Sequence, residues 1–171
     1  MAAKHSKADA LDQLAGRLML AAAIVFSIAF ATILLAHIFE RYGGYAPCPL
    51  CLQERYAYYF GVPASVVAFF AARNEAIGWT RIVLLLIAIG FLINAGLGVY
   101  HSGIEWKWWP GPSTCAGEVP IEWGGTGPVT GQLIRCDEAP WRLLWLSFAG
   151  WNAVISAAIA AIAAYGASQR R

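Results

Sequence analysis

Charged residues are scarce in this chain, and their scarcity excludes whole classes of protein. Only 13% of the 171 residues are Asp, Glu, Lys or Arg, whereas 59% are hydrophobic. In soluble domains about a quarter of the residues are charged, and long runs without charge are uncommon. The net charge of +2 and the lack of a basic stripe also argue against binding to nucleic acid. The composition is instead typical of an integral membrane protein.

Four apolar stretches are long enough to predict membrane-spanning helices. Leu18 to Phe39 contains 22 residues without a formal charge, and as a helix it would be about 33 Å long, close to the bilayer core of about 30 Å. It is too long for the apolar core of a secretory signal peptide, so we interpret it as a retained span. The predicted spans are residues 18–39, 51–72, 82–100 and 143–165.

The predicted fold class is therefore an all-α integral membrane protein, a four-helix bundle forming one domain over residues 1–171. Seven Lys and Arg residues lie on the side of both termini and five on the other side. Long loops weigh little in this comparison, so the positive-inside rule favours cytoplasmic termini. The predicted cytoplasmic segments are 1–17, 73–81 and 166–171, and the predicted periplasmic loops are 40–50 and 101–142.

This orientation places all four cysteines outside the cytoplasm, where thiols are readily oxidised. Cys48 and Cys51 form a Cys-x-x-Cys motif at the predicted start of the second span, and a disulfide closing so small a ring adds little stability. A helix N-terminus and a nearby guanidinium both lower a thiol pKa. Cys51 and Arg55 are four residues apart and share a helix face. Cys51 is thus the predicted thiolate, and Arg55, just inside an apolar span, is a candidate functional residue.

Two other uses of the cysteines remain open. Cys115 and Cys136, with 20 residues between them, could staple the second periplasmic loop. Four cysteines could also bind zinc, but structural zinc sites usually contain two short-spaced pairs, and the second pair here is widely spaced. We therefore predict no metal site.

Small and amide side chains inside the spans predict helix packing. Asn94 and Asn152 are expected to hydrogen-bond between the third and fourth helices. Ala153, Ala157 and Ala161 recur every four residues and predict a face for close helix packing.

Taken together, these motifs resemble the bacterial disulfide bond formation protein B (DsbB) family of inner-membrane thiol oxidoreductases, over nearly the whole chain. The residues that carry the resemblance are Cys48-Pro49-Leu50-Cys51 followed by Glu54-Arg55, His101 after the third span, the loop pair Cys115 and Cys136, and Cys136-Asp137-Glu138 followed by Trp141.

The resemblance implies a quinone-linked disulfide oxidase, with all four cysteines catalytic. Cys115 would react with a periplasmic thioredoxin-fold oxidase of the DsbA type, and the released Cys136 would attack Cys48. Cys51 would then face a membrane quinone, ubiquinone or menaquinone, which Arg55 would orient. His101 lies near the family's quinone pocket by position, although a structural role is an equal alternative.

The resemblance leaves two rival functions open. One is a paralogue that serves a dedicated oxidase or runs as a reductase. The other is a membrane scaffold without enzymatic activity, whose cysteines are structural disulfides.

Overall fold

The computed structural model describes residues 2–115 and 135–169, with side chains from residue 9 onward, and in these residues the chain is an all-helical bundle. The four α-helices of the described part are α1 (Ala2–Gly43), α2 (Pro49–Arg73), α3 (Ile77–Glu105) and α4 (Phe148–Ser168). A short 3₁₀ helix spans Ser113–Cys115, and two short antiparallel strands, β1 (Arg142–Leu143) and β2 (Leu146–Ser147), precede α4. Most of the predicted loop 101–142, residues 116–134, lies outside the described residues, as do Arg170 and Arg171.

Three of these helices are long and apolar enough to cross a membrane. They are α1 from Asp9 onward, α3 and α4, so the chain is an all-helical, multi-pass membrane protein. Helix α2 has 25 residues, but its first turns contain Glu54 and Arg55 and Pro63 lies in its interior. That α2 also crosses the membrane remains a prediction.

Helix α1 begins much earlier than the predicted first span. Residues 1–17 were expected to form a solvated tail, but α1 is continuous from Ala2, and Leu14 is buried. The reason is periodicity, because Leu14 lies one turn before Leu18 and two turns before Ala22 on the same face. All three belong to the main hydrophobic core, so the packed stripe of α1 starts within the predicted tail.

The end of α3 and the start of α4 also differ from the prediction. Helix α3 continues to Glu105, beyond the predicted boundary at Tyr100, because His101 and Ile104 are buried on its inner face. Helix α4 begins at Phe148 rather than at residue 143. Residues 142–147 form a hairpin instead, whose two turn residues, Leu144 and Trp145, have φ of 50° and 69°. Positive φ at both central residues is the geometry of a tight two-residue hairpin turn.

The contact between α3 and α4 confirms one packing prediction and corrects another. Asn94 Nδ2 donates a 3.1 Å hydrogen bond to Oδ1 of Asn152, as predicted for the two asparagines. The predicted alanine face is wrong, because Ala157 and Ala161 are exposed. The buried face of α4 is rotated to Ala149, Asn152, Ser156, Ile159, Ala160 and Ala163. Polar residues at Asn152 and Ser156 bond to neighbouring helices, which places this face inward.

Gly98 sets the distance between α3 and α4. A Cβ at this position would lie 2.9 Å from the backbone nitrogen of Ala153 and 3.0 Å from the backbone oxygen of Ala149. Backbone atoms in a helix cannot move aside as a flexible side chain can. Gly96, two residues earlier on the same helix, has no atom within 4 Å of the equivalent position.

We therefore expect Gly98→Ala to destabilise the protein and Gly96→Ala not to. The first substitution forces the two helices apart, at a cost of about 1–3 kcal/mol for overpacking. The second adds only helix propensity, which favours Ala by about 1 kcal/mol. Thermal unfolding in detergent measures both effects, and equal melting temperatures for the two variants would contradict the assigned contact.

Candidate functional site

The Cys-x-x-Cys motif forms the start of helix α2. The sequence predicted a start near Cys51 or Leu52, but the helix begins at Pro49, because proline fits the first helical position without loss of a hydrogen bond. Cys48 is the N-cap residue, and its Sγ accepts a 3.1 Å hydrogen bond from the backbone N–H of Cys51. Both cysteines are free thiols in the structure; Cys48 is buried and Cys51 is half-buried.

In this geometry the N-terminus of α2 stabilises the sulfur of Cys48, and not that of Cys51 as predicted. Hydrogen bonds from the Cys51 thiol, and then from the Cys51 backbone N–H, lower the pKa of the Cys48 thiol below its ordinary value, against the opposing effect of burial. The sequence had predicted Cys51 as the stabilised thiolate. In the reduced pair, the structure instead stabilises negative charge on Cys48, because the N-cap position and not the third helical residue faces the free N–H groups.

A buried histidine and a buried carboxylate lie behind Cys48. His101, on α3, has its Nε2 3.6 Å from Sγ of Cys48 and its Nδ1 2.9 Å from Oε1 of Glu54. The relative exposures of the three residues are 3% for Cys48, 3% for His101 and 6% for Glu54. A carboxylate that holds one ring nitrogen fixes the orientation and the tautomer of the ring, so the other nitrogen can exchange a proton with the sulfur.

The same side chains offer three potential metal ligands. The ligand atoms of Cys48, Cys51 and His101 all lie within 4.8 Å of one another. A soft divalent ion could use them only while both thiols are reduced, since a Cys48–Cys51 disulfide removes the thiolates. Metal binding and disulfide chemistry would therefore compete for the same two sulfurs.

The second pair of cysteines forms a disulfide, and it packs against the first pair. Cys115 and Cys136 are bonded, with their Cα atoms 5.1 Å apart, so these two sulfurs are not available for a four-cysteine zinc site. Both are buried in one cluster with Cys48, against which Cys51 packs. Residues far apart in sequence thus bring all four cysteines to one end of the bundle.

Ionic contacts hold the Cys136 segment in place. Asp137 accepts hydrogen bonds from Arg135 and from Nζ of Lys107, which lies just beyond α3. These two cations hold the pKa of the Asp137 carboxyl far below its usual range. The contact joins the segment to the end of α3 and so positions Cys136 against the Cys-x-x-Cys motif.

A cavity of about 720 Å³ opens beside the four cysteines. Its lining is mostly apolar and comes from all four helices, the α1–α2 connection and the segment before α4, with Cys48, Cys51 and His101 among the polar groups. Arg55 also lines it, and its Nη1 lies 2.6 Å from Oε2 of Glu40 at the end of α1. Mostly apolar pockets of about 300–1,000 Å³ with a few fixed polar groups are typical small-molecule sites.

Each predicted site residue lies in or beside this region, and the structure adds others. Glu54 and Asn152 also line the cavity, and Glu40 holds Arg55 there, although the sequence pattern gave none of the three a functional role. Glu54 could have been found from its position, because a carboxylate one turn after Cys51 in an apolar helix needs a partner. Glu40 could not, since its pairing depends on how α1 meets α2.

Comparison with known proteins agrees with this geometry. Residues 17–166 match the family model described as "Disulfide bond formation protein DsbB". "Disulfide bond formation protein B" of Acidovorax sp. (strain JS42) is 28% identical over 151 residues, covering 80% of this chain and 76% of that protein. The protein of the same name from Marinobacter nauticus (strain ATCC 700491 / DSM 11845 / VT8) is 28% identical over 142 residues, covering 77% and 80%.

A shorter match covers less than half of this chain and less than half of the matched protein. "Uncharacterized protein RP370" of Rickettsia prowazekii (strain Madrid E) is 30% identical over 82 residues, 48% of this chain and 45% of that protein. No solved structure matches the chain. The family match extends over most of the chain and includes all four cysteines, so the chain belongs to the DsbB family of disulfide bond formation proteins.

Proposed function

We propose that this chain oxidises a periplasmic DsbA-type dithiol protein and passes the electrons to a membrane quinone. The observation that carries the proposal is the cluster of four cysteines, two as a disulfide and two as thiols, beside a mostly apolar cavity. Sulfurs packed together support exchange among themselves, and the cavity supports an apolar electron acceptor.

The site lies in a multi-pass protein of the inner membrane, as family membership and the apolar helices indicate. The orientation with cytoplasmic termini and periplasmic cysteines is part of the proposal. The contact between Cys48 and His101 brings the start of α2 to the end of α3, which supports one shared side of the membrane for both cysteine pairs, and the count of Lys and Arg supports the periplasm as that side. Helix α2 therefore runs antiparallel to α3, and its 25 residues, about 38 Å of helix, are long enough to cross as well.

The proposed thiol exchange begins at the loop disulfide of the fully oxidised chain. A thiolate of the partner attacks Cys115, which forms a mixed disulfide and releases Cys136 as a thiolate. Cys136 then attacks Cys48, which breaks the Cys48–Cys51 bond and releases the Cys51 thiolate. Because Cys48 is bonded at this stage, Cys51 becomes the free thiolate, although Cys48 is the stabilised sulfur of the reduced pair.

The remaining exchanges restore the loop disulfide and leave Cys48 and Cys51 reduced. The second thiol of the partner attacks its own mixed disulfide and leaves Cys115 as a thiol. Cys115 re-forms its bond to Cys136, which frees Cys48, so Cys48 and Cys51 hold the two electrons of the partner. This product, a loop disulfide beside two thiols, is the arrangement seen in the structure.

Partner access requires Cys115 to become exposed. Cys115 is 3% exposed and Cys136 is 2% exposed, so a protein thiolate cannot reach either sulfur in this arrangement. The observed packing suits the internal exchange with Cys48. Reaction with the partner therefore needs a second arrangement in which the sulfur of Cys115 is accessible.

The cavity residues fit a quinone, which would take two electrons and two protons from the Cys48 and Cys51 thiols to become a quinol, while the two sulfurs re-form their disulfide. The mostly apolar lining would hold a ring and the start of an isoprenoid tail. Arg55 supplies a cation beside Cys51, and Glu40 keeps its guanidinium in place. His101 can take the proton of Cys48 through Nε2, with Glu54 stabilising the ring.

A strong acceptor is also required by the energetics. The potential of DsbA is about −120 mV, while structural disulfides usually lie below about −300 mV. With 30 mV equal to about 1.4 kcal/mol, oxidation of DsbA by an ordinary disulfide would be unfavourable by about 8 kcal/mol. The disulfides of this chain must therefore be unusually oxidising or be drawn forward by the acceptor.

The first test is quinone reduction by the purified chain with a reduced DsbA-type protein. We expect turnover with the wild type and none with Cys48→Ser, because the electrons cannot then reach Cys51. The double variant Cys115→Ser/Cys136→Ser should lose turnover with the protein partner but keep it with a small dithiol, which reaches Cys48 directly. A folded wild type without thiol-dependent quinone reduction would refute the proposed reaction. Full function of Cys48→Ser in cells would support the scaffold alternative.

A separate prediction concerns Arg55. Arg55→Ala removes the cation from the cavity and leaves every thiol in place, so we expect the KM for quinone to rise about tenfold or more while the exchange rate with the partner stays unchanged. Arg41→Ala is the matched control, since Arg41 is exposed and outside the cavity. Unchanged quinone kinetics in Arg55→Ala would exclude this role.

The role of His101 as a positioning and proton-accepting residue can be tested in the same way. In the reduced protein, His101→Ala should slow alkylation of Cys48 at pH 7 about tenfold and move the midpoint of its pH profile upward. Glu54→Gln keeps an acceptor for Nδ1 and should have a smaller effect. Ser102→Ala, on the same helix, is the control. Tandem mass spectrometry separates Cys48 from Cys51, and an unaltered profile in His101→Ala would show that the histidine is only structural.

A further inference from the structure

Two sulfurs and one ring nitrogen converge at the start of α2. Cys48 and Cys51 each offer an Sγ atom, His101 offers a nitrogen from near the end of α3, and the three ligand atoms lie within 4.8 Å of one another. The four-cysteine zinc site weighed from the sequence cannot form in this arrangement, since Cys115 and Cys136 are bonded to each other. A histidine from another helix takes the place of that pair.

The spacing of these atoms fits a tetrahedral zinc ion. Zn–S bonds of about 2.3 Å and Zn–N bonds of about 2.0–2.1 Å place two tetrahedral ligands about 3.8 Å apart when both are sulfur and about 3.6 Å apart when one is nitrogen. Nε2 of His101 lies 3.6 Å from Sγ of Cys48, which matches the second spacing. The sulfur of Cys51 needs to move by about 1 Å at most to reach the first, and its side chain is only half-buried. Thiolate and imidazole ligands also favour zinc over Mg²⁺ and Ca²⁺, which take oxygen ligands.

A carboxylate holds the histidine from behind. Nδ1 of His101 lies 2.9 Å from Oε1 of Glu54, and both residues are buried. When Nδ1 donates its proton to this carboxylate, Nε2 carries the lone pair that a metal ion needs. Metal-binding histidines almost always donate their other N–H to a carboxylate, a backbone carbonyl or water, which fixes the ring and raises its basicity. This contact is independent of the spacing of the three ligands, and it selects the nitrogen that faces Cys48.

The cavity gives an ion access to the site and leaves room for a fourth ligand. Cys48, Cys51 and His101 all line it, so an ion that enters the cavity reaches all three. Three protein ligands and one open position are an established arrangement for zinc, in which water fills the fourth position. The two thiolates cancel the charge of Zn²⁺, so the bound set has no net charge in a place where an unpaired charge would be costly.

We propose that the reduced Cys-x-x-Cys pair and His101 form a zinc site that arrests thiol exchange while the ion is bound. On binding, each thiol gives up its proton and forms a Zn–S bond, Nε2 forms a Zn–N bond, and no electrons are transferred. The coordinated sulfurs share their lone pairs with the ion, so their attack on other groups is slowed. A Cys48–Cys51 disulfide has no thiolate to offer, so only the reduced chain has the site. The arrest therefore acts on the electron-loaded state, whichever acceptor removes the electrons.

Zinc binding is measured on the purified chain in detergent, with a chromophoric chelator as the competitor. The double variant Cys115→Ser/Cys136→Ser is the parent, because its reduction yields only the two thiols of the site. We expect the reduced parent to bind a single zinc ion and the parent with a Cys48–Cys51 disulfide to bind none. Equal affinity in the two redox states would overturn the proposal, since the zinc would then be held elsewhere.

Substitutions on α2 and α3 test the nitrogen ligand. In the same parent, Glu54→Gln should weaken zinc binding about tenfold, as is typical for the partner of a ligand, and His101→Ala about a hundredfold, because a ligand itself is lost. His37→Ala is the matched control, since His37 is exposed and is not among the described lining residues of the cavity. An unchanged Kd in His101→Ala would reduce the site to a simple dithiol and overturn the proposal.

Cobalt gives a readout that needs no substitution of a ligand, should His101→Ala fail to fold. Co²⁺ held by thiolates in a tetrahedral site shows charge-transfer absorption in the near ultraviolet and strong d–d bands in the visible. We expect both in the reduced parent and neither after oxidation, and the weak bands of a six-coordinate ion would contradict the site.

Alkylation of the wild type tests the arrest itself. One equivalent of zinc should protect Cys48 and Cys51 of the reduced chain from a thiol reagent, and EDTA should restore their reaction. Full reactivity with zinc bound would refute the arrest. These measurements use neither a quinone nor a protein partner, so their failure leaves the proposed function standing, and a failure of quinone reduction leaves the zinc site standing.

Discussion

The contact between the start of α2 and the end of α3 is the constraint on which the site depends. Cys48 caps α2 with its sulfur, and the same sulfur faces His101 near the end of α3. Without this contact, the hydrogen-bonded pair of His101 and Glu54 would not lie beside a thiol. The loop disulfide packs on the same point, so the proposed exchange and the proposed proton transfer share a single sulfur.

The sequence was sufficient for the parts of this arrangement that depend on local pattern. Uncharged length predicted the apolar helices, and the Cys-x-x-Cys motif at a helix start predicted the thiol pair. The pairing of Asn94 with Asn152 followed from amides in apolar helices, which need partners. These features rest on periodicity and on polarity within a few turns, which a single sequence contains.

The remaining features depend on tertiary contacts that no local pattern contains. The bonding of Arg55 to Glu40 requires knowledge of how α1 meets α2. Hydropathy placed His101 in a loop, because a predicted span ends where the apolar run ends. The helix itself continues to Glu105, because its buried face extends through His101 and Ile104. The choice of Cys48 over Cys51 as the capping sulfur depended on a difference of two or three residues in the start of α2, and helix boundaries are the least certain feature of any prediction.

Burial of so many polar groups in an apolar bundle argues for function rather than stability. An apolar interior would avoid the desolvation of Glu54, His101 and Arg55, and replacing buried ionic groups by apolar ones is often neutral or stabilising. A scaffold held by disulfides would gain nothing from Nδ2 of Asn152, which is buried without a hydrogen-bond partner among the described residues. Glu54, His101, Arg55 and Asn152 all line one cavity beside the only free thiols of the described chain. The cost is localised where the proposed redox site needs fixed charge and fixed donors, and such clustering of buried ionisable groups in a cavity is typical of functional sites.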